Sequence, residues 1–118
     1  MKVHLETLAP ATLVIPEGRL DFGAAAAFQA QVEQALAGAG KAPAAVIIDC
    51  AGLEYVSSAG LRVFLLAAKA SQRNGVGYAI CGLKPAVRDV FDLSGFSGVM
   101  AVYADRATAL AQVAKRPA

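Results

Sequence analysis

The chain has 118 residues, a net charge of +2 and a hydrophobic fraction of 57%. That length predicts one domain, residues 1–118, burying somewhat over ~60% of its unfolded surface in a single core. No apolar run approaches the ~18 residues of a membrane span, and Met1-Lys2-Val3-His4-Leu5-Glu6 lacks the apolar stretch of a secretory signal. Direct membrane insertion is therefore not expected, and a cytoplasmic location is. The small charge and an aromatic content of 7% argue against nucleic-acid binding.

Val3 to Leu8 alternates weakly and then meets Pro10. Thr12 to Ile15 is a second β-rich run, closed by Pro16-Glu17-Gly18, and the two predict an opening hairpin. After Gly18-Arg19-Leu20-Asp21, residues Phe28, Val32 and Leu36 recur at i, i+4 and i+8 within Ala24 to Ala37. That spacing is one face of a helix, and Gly38-Ala39-Gly40 stops it. Ala45 to Asp49 is a continuous apolar run, the pattern of a central strand covered on both faces. A short loop leads from it into a helix over Ser58 to Gln72, which ends near Asn74-Gly75. Gly77 to Cys81 reads as the next strand. Lys84-Pro85 opens a third helix with an apolar stripe of Val87, Val90 and Phe91, closed by Ser94-Gly95. Val99 to Tyr103 reads as a final edge strand and Thr108 to Ala114 as a last short helix. The order predicts an α/β fold: a hairpin, then βα units, a four- to five-stranded mixed sheet and helices mainly on one face. An opening hairpin argues against the simple doubly wound nucleotide-binding fold, which starts β-α-β.

Catalytic constellations are missing from the sequence. The one histidine, His4, falls in the first strand, where it reads as solvated. There is no Cys-x-x-Cys, no Gly-x-Gly-x-x-Gly and no phosphate-binding Gly-Lys-Ser/Thr loop. Asp89 and Asp92 share a helix, but Arg88 can pair with Asp92 at i, i+4, so a charged solvent face is expected rather than an acid/base dyad. Cys50 and Cys81 read as small buried hydrophobes in a reducing compartment. Arg106, Lys115 and Arg116 read as solvated ends. No metal or cofactor is expected, and the pattern is that of a binding module rather than an enzyme.

Ser58 concentrates what remains. It begins a helix, where free N–H groups and the positive end of the dipole suit either a cap or a phosphate. Steps of ~100° place Arg62, Lys69 and Arg73 on one stripe of that helix with Ser58 near its start and Leu66 beside it. A leucine exposed among charges hints at a contact surface running from Ser58 along Arg62 and Leu66.

Three stretches of the chain resemble the STAS-domain anti-sigma factor antagonists over nearly its whole length. Gly18-Arg19-Leu20-Asp21 is similar to that family's Gly-Glu-Leu-Asp turn. Val46-Ile47-Ile48-Asp49-Cys50-Ala51-Gly52-Leu53-Glu54-Tyr55-Val56-Ser57-Ser58-Ala59-Gly60-Leu61 is similar to its strand, loop and phosphorylation motif. Leu83-Lys84-Pro85-Ala86-Val87-Arg88-Asp89-Val90-Phe91-Asp92-Leu93-Ser94-Gly95-Phe96 is similar to its third helix. The resemblance implies a partner-switching protein. The unphosphorylated antagonist binds an anti-sigma factor that is a serine kinase and frees the sigma factor, the kinase phosphorylates the antagonist, and a serine phosphatase restores it. It implies Ser58 as the phosphorylation site, with Ser57 second, and a partner-binding set of Asp21, Ser57, Ser58, Gly60, Arg62, Leu66 and Lys69. The family motif reads Asp-Ser-[Ser/Thr]-Gly-Leu. Here Ser57 stands in place of the aspartate and Ala59 in place of the second hydroxyl, which removes one competing acceptor and makes Ser57 the better cap. The alternative is a STAS scaffold or regulatory subunit of a transporter or stress-sensing complex, not necessarily phosphorylated.

Overall fold

The computed structural model describes residues 1–38 and 44–115, without the side chains of the last two. Strands β1 (Lys2–Leu8) and β2 (Ala11–Leu20) form the expected antiparallel hairpin, with Leu8 opposite Ala11. Helix α1 (Phe22–Gly38) follows, then β3 (Ala45–Asp49), β4 (Leu53–Val56) and α2 (Ser58–Asn74). β5 (Gly77–Cys81), α3 (Pro85–Leu93), a single 3-10 turn at Phe96–Gly98, β6 (Val102–Tyr103) and α4 (Arg106–Lys115) complete the order. The strands lie β1-β2-β3-β5-β6, with β4 also on β2, and every pairing except the hairpin is parallel.

β2 runs five residues beyond the expected stop at Ile15, through Pro16 to Leu20. It pairs with β3 over Ala11–Val14 and changes partner to β4 over Gly18–Leu20. Pro16 falls in the gap between these two pairings, where a missing N–H costs nothing. Gly18 takes φ +98° where the register shifts, a conformation that glycine alone adopts without strain.

β4 was expected to be loop. Its four residues, Leu-Glu-Tyr-Val, bury only the two ends, so they show no alternation to read. The sheet therefore has six strands rather than four or five. The last strand shrinks from Val99–Tyr103 to Val102–Tyr103, because Val99 N–H and Met100 N–H both turn back to the Phe96 carbonyl. α4 begins two residues early at Arg106: Asp105 caps it, its Oδ1 accepting from Thr108 N–H at 2.8 Å, which holds its carboxyl below the usual range. α1 ends at Gly38; Ala39 and Gly40 of the expected stop lie outside the described residues.

Alternate strand residues feed two cores. Val14, Val46, Ile48, Tyr78 and Ile80 meet α1, α2 and α3 around Phe28, Phe64 and Phe91. Leu13, Ala45, Ile47, Ala79 and Cys81 face the other way, under Ala109 and Val113 of α4. Cys50 and Cys81 are joined through the backbone, Cys50 N–H to Cys81 carbonyl at 2.8 Å, yet their thiols belong to opposite cores and stay free. Burial pushes the Cys50 thiol well up and the Cys81 thiol up to about 12, so both are held as inert thiols.

Arg106 is not a solvated end. Its Nε and Nη2 lie 2.9 and 2.8 Å from Asp49 Oδ2, and its Nη1 lies 3.0 Å from Glu6 Oε2. Asp49 is buried, so this fork ties α4 to β3 and β1 at once. Arg116 and the side chain of Lys115 lie outside the described residues. Arg88 and Asp92 do pair at i, i+4, at 3.8 Å on an exposed face. His4 is an exposed edge-strand residue 3.4 Å from Glu17.

Candidate functional site at the start of the second helix

The site is built by two strands that end side by side. β2 and β4 run parallel, with Arg19 opposite Tyr55 and Leu20 opposite Val56. Each then passes into a helix through a capping residue. Asp21 Oδ1 accepts from Ala24 N–H at 2.9 Å at the start of α1. Ser57 Oγ accepts from Gly60 N–H at 3.1 Å at the start of α2, with φ −84° and ψ 170° as an N-cap requires. The Ser57 N–H donates to the Leu20 carbonyl at 2.8 Å, which locks the two caps abreast.

Ser58 is the first helical residue and is exposed. Its hydroxyl has no hydrogen-bond partner among the described residues. The first helical bond runs from Leu61 N–H to the Ser57 carbonyl at 2.9 Å, and Gly60 N–H is taken by the cap. The N–H groups of Ser58 and Ala59 are thus without partners among the described residues. The helix start presents a free hydroxyl, free donors and the positive dipole end together, an arrangement able to accept and hold a phosphoryl group.

The other expected site residues separate into three kinds. Arg62 and Lys69 are exposed along α2, as is Arg73. Gly60 is buried against Leu20 and Val56, so it shapes the surface without forming it. Leu66 is half-buried rather than fully exposed: α1 passes beside it, and Leu66 lines a groove of about 240 Å3 with Val32, Leu36 and Val63 and with the charged Glu33, Lys69 and Arg73. Helix periodicity places Leu66 relative to its own helix and says nothing of the neighbour that covers it. Phe22, 84% exposed immediately after Asp21, is the apolar residue that the sequence reading passed over. Periodicity carried only part of the signal: at ~100° per residue Phe22 lies about 90° from the centre of the buried stripe of α1 and about 40° from Leu36.

A family model for the STAS domain matches residues 2–109. The chain belongs to the STAS domain family. Over 66 residues this STAS domain is 46% identical to a protein of Bordetella bronchiseptica named as an anti-sigma factor antagonist, BtrV, covering 56% of this chain and 57% of that one. The match thus spans little more than half the length of that curated relative. A solved anti-sigma factor antagonist from Mycobacterium paratuberculosis superposes with a TM-score of 0.87 at 22% identity, over 97% of this chain and 94% of that one. SpoIIAA in its unphosphorylated form gives 0.79 at 21% identity, over 99% and 100%. Its phosphorylated form from Bacillus gives 0.71 at 21%, over 95% and 99%. At such identities the likeness is one of fold. No helix among the described residues is long and apolar enough to cross a membrane.

Proposed function

We propose that this STAS domain is an anti-sigma factor antagonist of a partner-switching pathway. It binds an anti-sigma factor that is a serine kinase, phosphorylation of Ser58 by that kinase ends the complex, and a serine phosphatase restores the binding form, all in the cytoplasm. One observation carries the reading: Ser57 takes the capping role, so Ser58 keeps at the helix start an exposed hydroxyl without a hydrogen-bond partner among the described residues. The relatives support it, since BtrV and SpoIIAA are both named as anti-sigma factor antagonists and SpoIIAA has a phosphorylated form.

In the transfer, Ser58 Oγ attacks the γ-phosphorus of ATP. The new O–P bond forms as the bond to the β–γ bridging oxygen breaks, ADP leaves, and the hydroxyl proton passes to the kinase's own base. This chain supplies the nucleophile and its exposure. The product carries about −1.5 to −2 charges, which the helix dipole stabilises by about 1 kcal/mol or less. The domain therefore keeps its fold. Burying that charge in a partner's interface without a cation to meet it costs several kcal/mol, so the partner is excluded.

Incubation with the kinase and ATP adds one phosphate to the wild-type chain, none to Ser58→Ala, and one to Ser57→Ala. Incorporation that persists in Ser58→Ala overturns the assignment. Ser58→Asp keeps stability within about 1 kcal/mol of wild type and loses the kinase complex; a transporter or stress-complex subunit would keep its partner in that variant.

A further inference from the structure

Four of the five phenylalanines form one run of ring contacts through the core, Phe28 to Phe64 at 5.5 Å, Phe64 to Phe91 at 5.1 Å and Phe91 to Phe96 at 6.1 Å. The fifth, Phe22, is 84% exposed and stacks on no ring among the described residues. Local structure does not require it. The cap of α1 is Asp21, and the two positions that staple a helix start, just before the cap and at the fourth residue, are Leu20 and Ala25, both buried. A lone exposed apolar side chain is ordinary, and Leu93, 89% exposed at the end of α3, is one.

Phe22 differs in its place. Leu20 lies opposite Val56, and Ser57 N–H is bonded to the Leu20 carbonyl. Phe22 follows Leu20 by two residues and Ser58 follows Ser57 by one, so the first residues of α1 and α2 both come directly after that bond. One step back, the Arg19 guanidinium lies 4.2 Å over the Tyr55 ring, and one turn onward along α2 stands the exposed Arg62. An unburied aromatic side chain and two exposed cations thus lie within a few residues of the paired ends of β2 and β4, from which the exposed Ser58 hydroxyl also starts.

We infer that Phe22 is the apolar anchor of the surface on which the anti-sigma factor kinase docks, entering a pocket whose rim carries carboxylates opposite Arg19 and Arg62. This rests on the reading of Ser58 above and adds the residue that supplies the contact area. A single aromatic side chain is well suited to the centre of an interface, because it removes a large apolar surface from water at the cost of few rotatable bonds. The charge complement follows from the two arginines. It also explains how one phosphate acts: on Ser58 it places a dianion at the lip of an apolar pocket and facing carboxylates, the worst position for both.

The test uses the full chain and, as probe, the purified anti-sigma serine kinase encoded in the same genome. Phe22→Ala raises the Kd by about 10- to 100-fold with an unchanged melting temperature, and Phe22→Leu recovers most of the affinity. The chain has no tryptophan, so Phe22→Trp made with fluorotryptophan carries a single fluorine resonance. That resonance shifts when the kinase binds and returns to its free position once Ser58 is phosphorylated. A Phe22→Ala variant that binds within about twofold of wild type, or a resonance that stays put in a complex that does form, overturns the anchor and leaves the Ser58 reading standing. A wild-type chain that neither binds nor takes phosphate overturns both.

Discussion

Gly60 and Leu20 meet so closely that a β-carbon on Gly60 would lie 2.7 Å from Leu20 Cγ, and 3.0 Å from Val56 Cγ2. Leu20 is fully buried, so it has nowhere to swing. This contact lets the start of α2 press onto the ends of β2 and β4 together. Alanine ordinarily favours a helix over glycine by about 1 kcal/mol, whereas overpacking a core costs about 1–3 kcal/mol. Gly60→Ala is therefore expected to lose about 1–2 kcal/mol in urea denaturation. Combining it with Leu20→Ala should cost less than the two single changes added, because the second substitution opens the space that the first needs. A Gly60→Ala protein as stable as wild type would show that the strand ends yield freely.

The two serines separate in a stability measurement. Ser57→Ala removes the cap on Gly60 N–H and should cost about 1 kcal/mol. Ser57→Asp should cost almost nothing, since aspartate caps as well as serine. Ser58→Ala removes an exposed hydroxyl with no partner among the described residues and should stay within about 0.5 kcal/mol of wild type. If Ser58→Ala is instead the destabilising change, the cap has been assigned to the wrong residue.

Arg106 links three elements through Asp49 and Glu6. Arg106→Ala strips the buried Asp49 carboxylate of its guanidinium partner and leaves it the Ala51 N–H at 3.1 Å. A loss of about 1–3 kcal/mol is expected, below the full cost of breaking a buried pair because Arg106 is itself partly exposed. Arg106→Lys should recover little, since a point ammonium cannot reproduce the fork. Hydrogen exchange in α4 should rise in both variants; unchanged protection of α4 would mean that apolar packing alone holds it.

Alkaline titration tests the buried thiols. Cys81 is pushed from 9.0 to about 12, chiefly by burial, so the folded state keeps a proton that the unfolded chain gives up. Stability from this group is complete below about pH 9 and falls as pH rises toward about 12. Cys81→Ala should show a shallower decline across that window than wild type. In the native protein at neutral pH a thiol reagent should label neither Cys50 nor Cys81 until denaturant is added; rapid labelling would contradict their burial.

Much of this was legible before the fold. The apolar run Ala45 to Asp49, the stripe Phe28, Val32, Leu36 and the glycine after Asn74 each state a local preference that packing then respected, as Gly75 at φ 67° shows. β4 was not legible, because four residues buried only at their ends have no period. Arg106 was misread for a related reason: its partners lie 57 and 100 residues away, and no local pattern carries that distance.

At the site, the sequence alone determined that a Ser-Ser pair opens a helix after a strand and that the surrounding motifs are those of one family. Which serine caps and which stays free depended on backbone angles at Ser57 and on a single N–H from Gly60. That α1 and α2 start abreast was decided only when β2 changed partners and brought Leu20 opposite Val56. Strand pairing is a long-range choice, made by burial and register across the whole sheet. For that reason the sequence named Ser58, and only the tertiary structure brought the starts of α1 and α2 side by side and left Phe22 exposed.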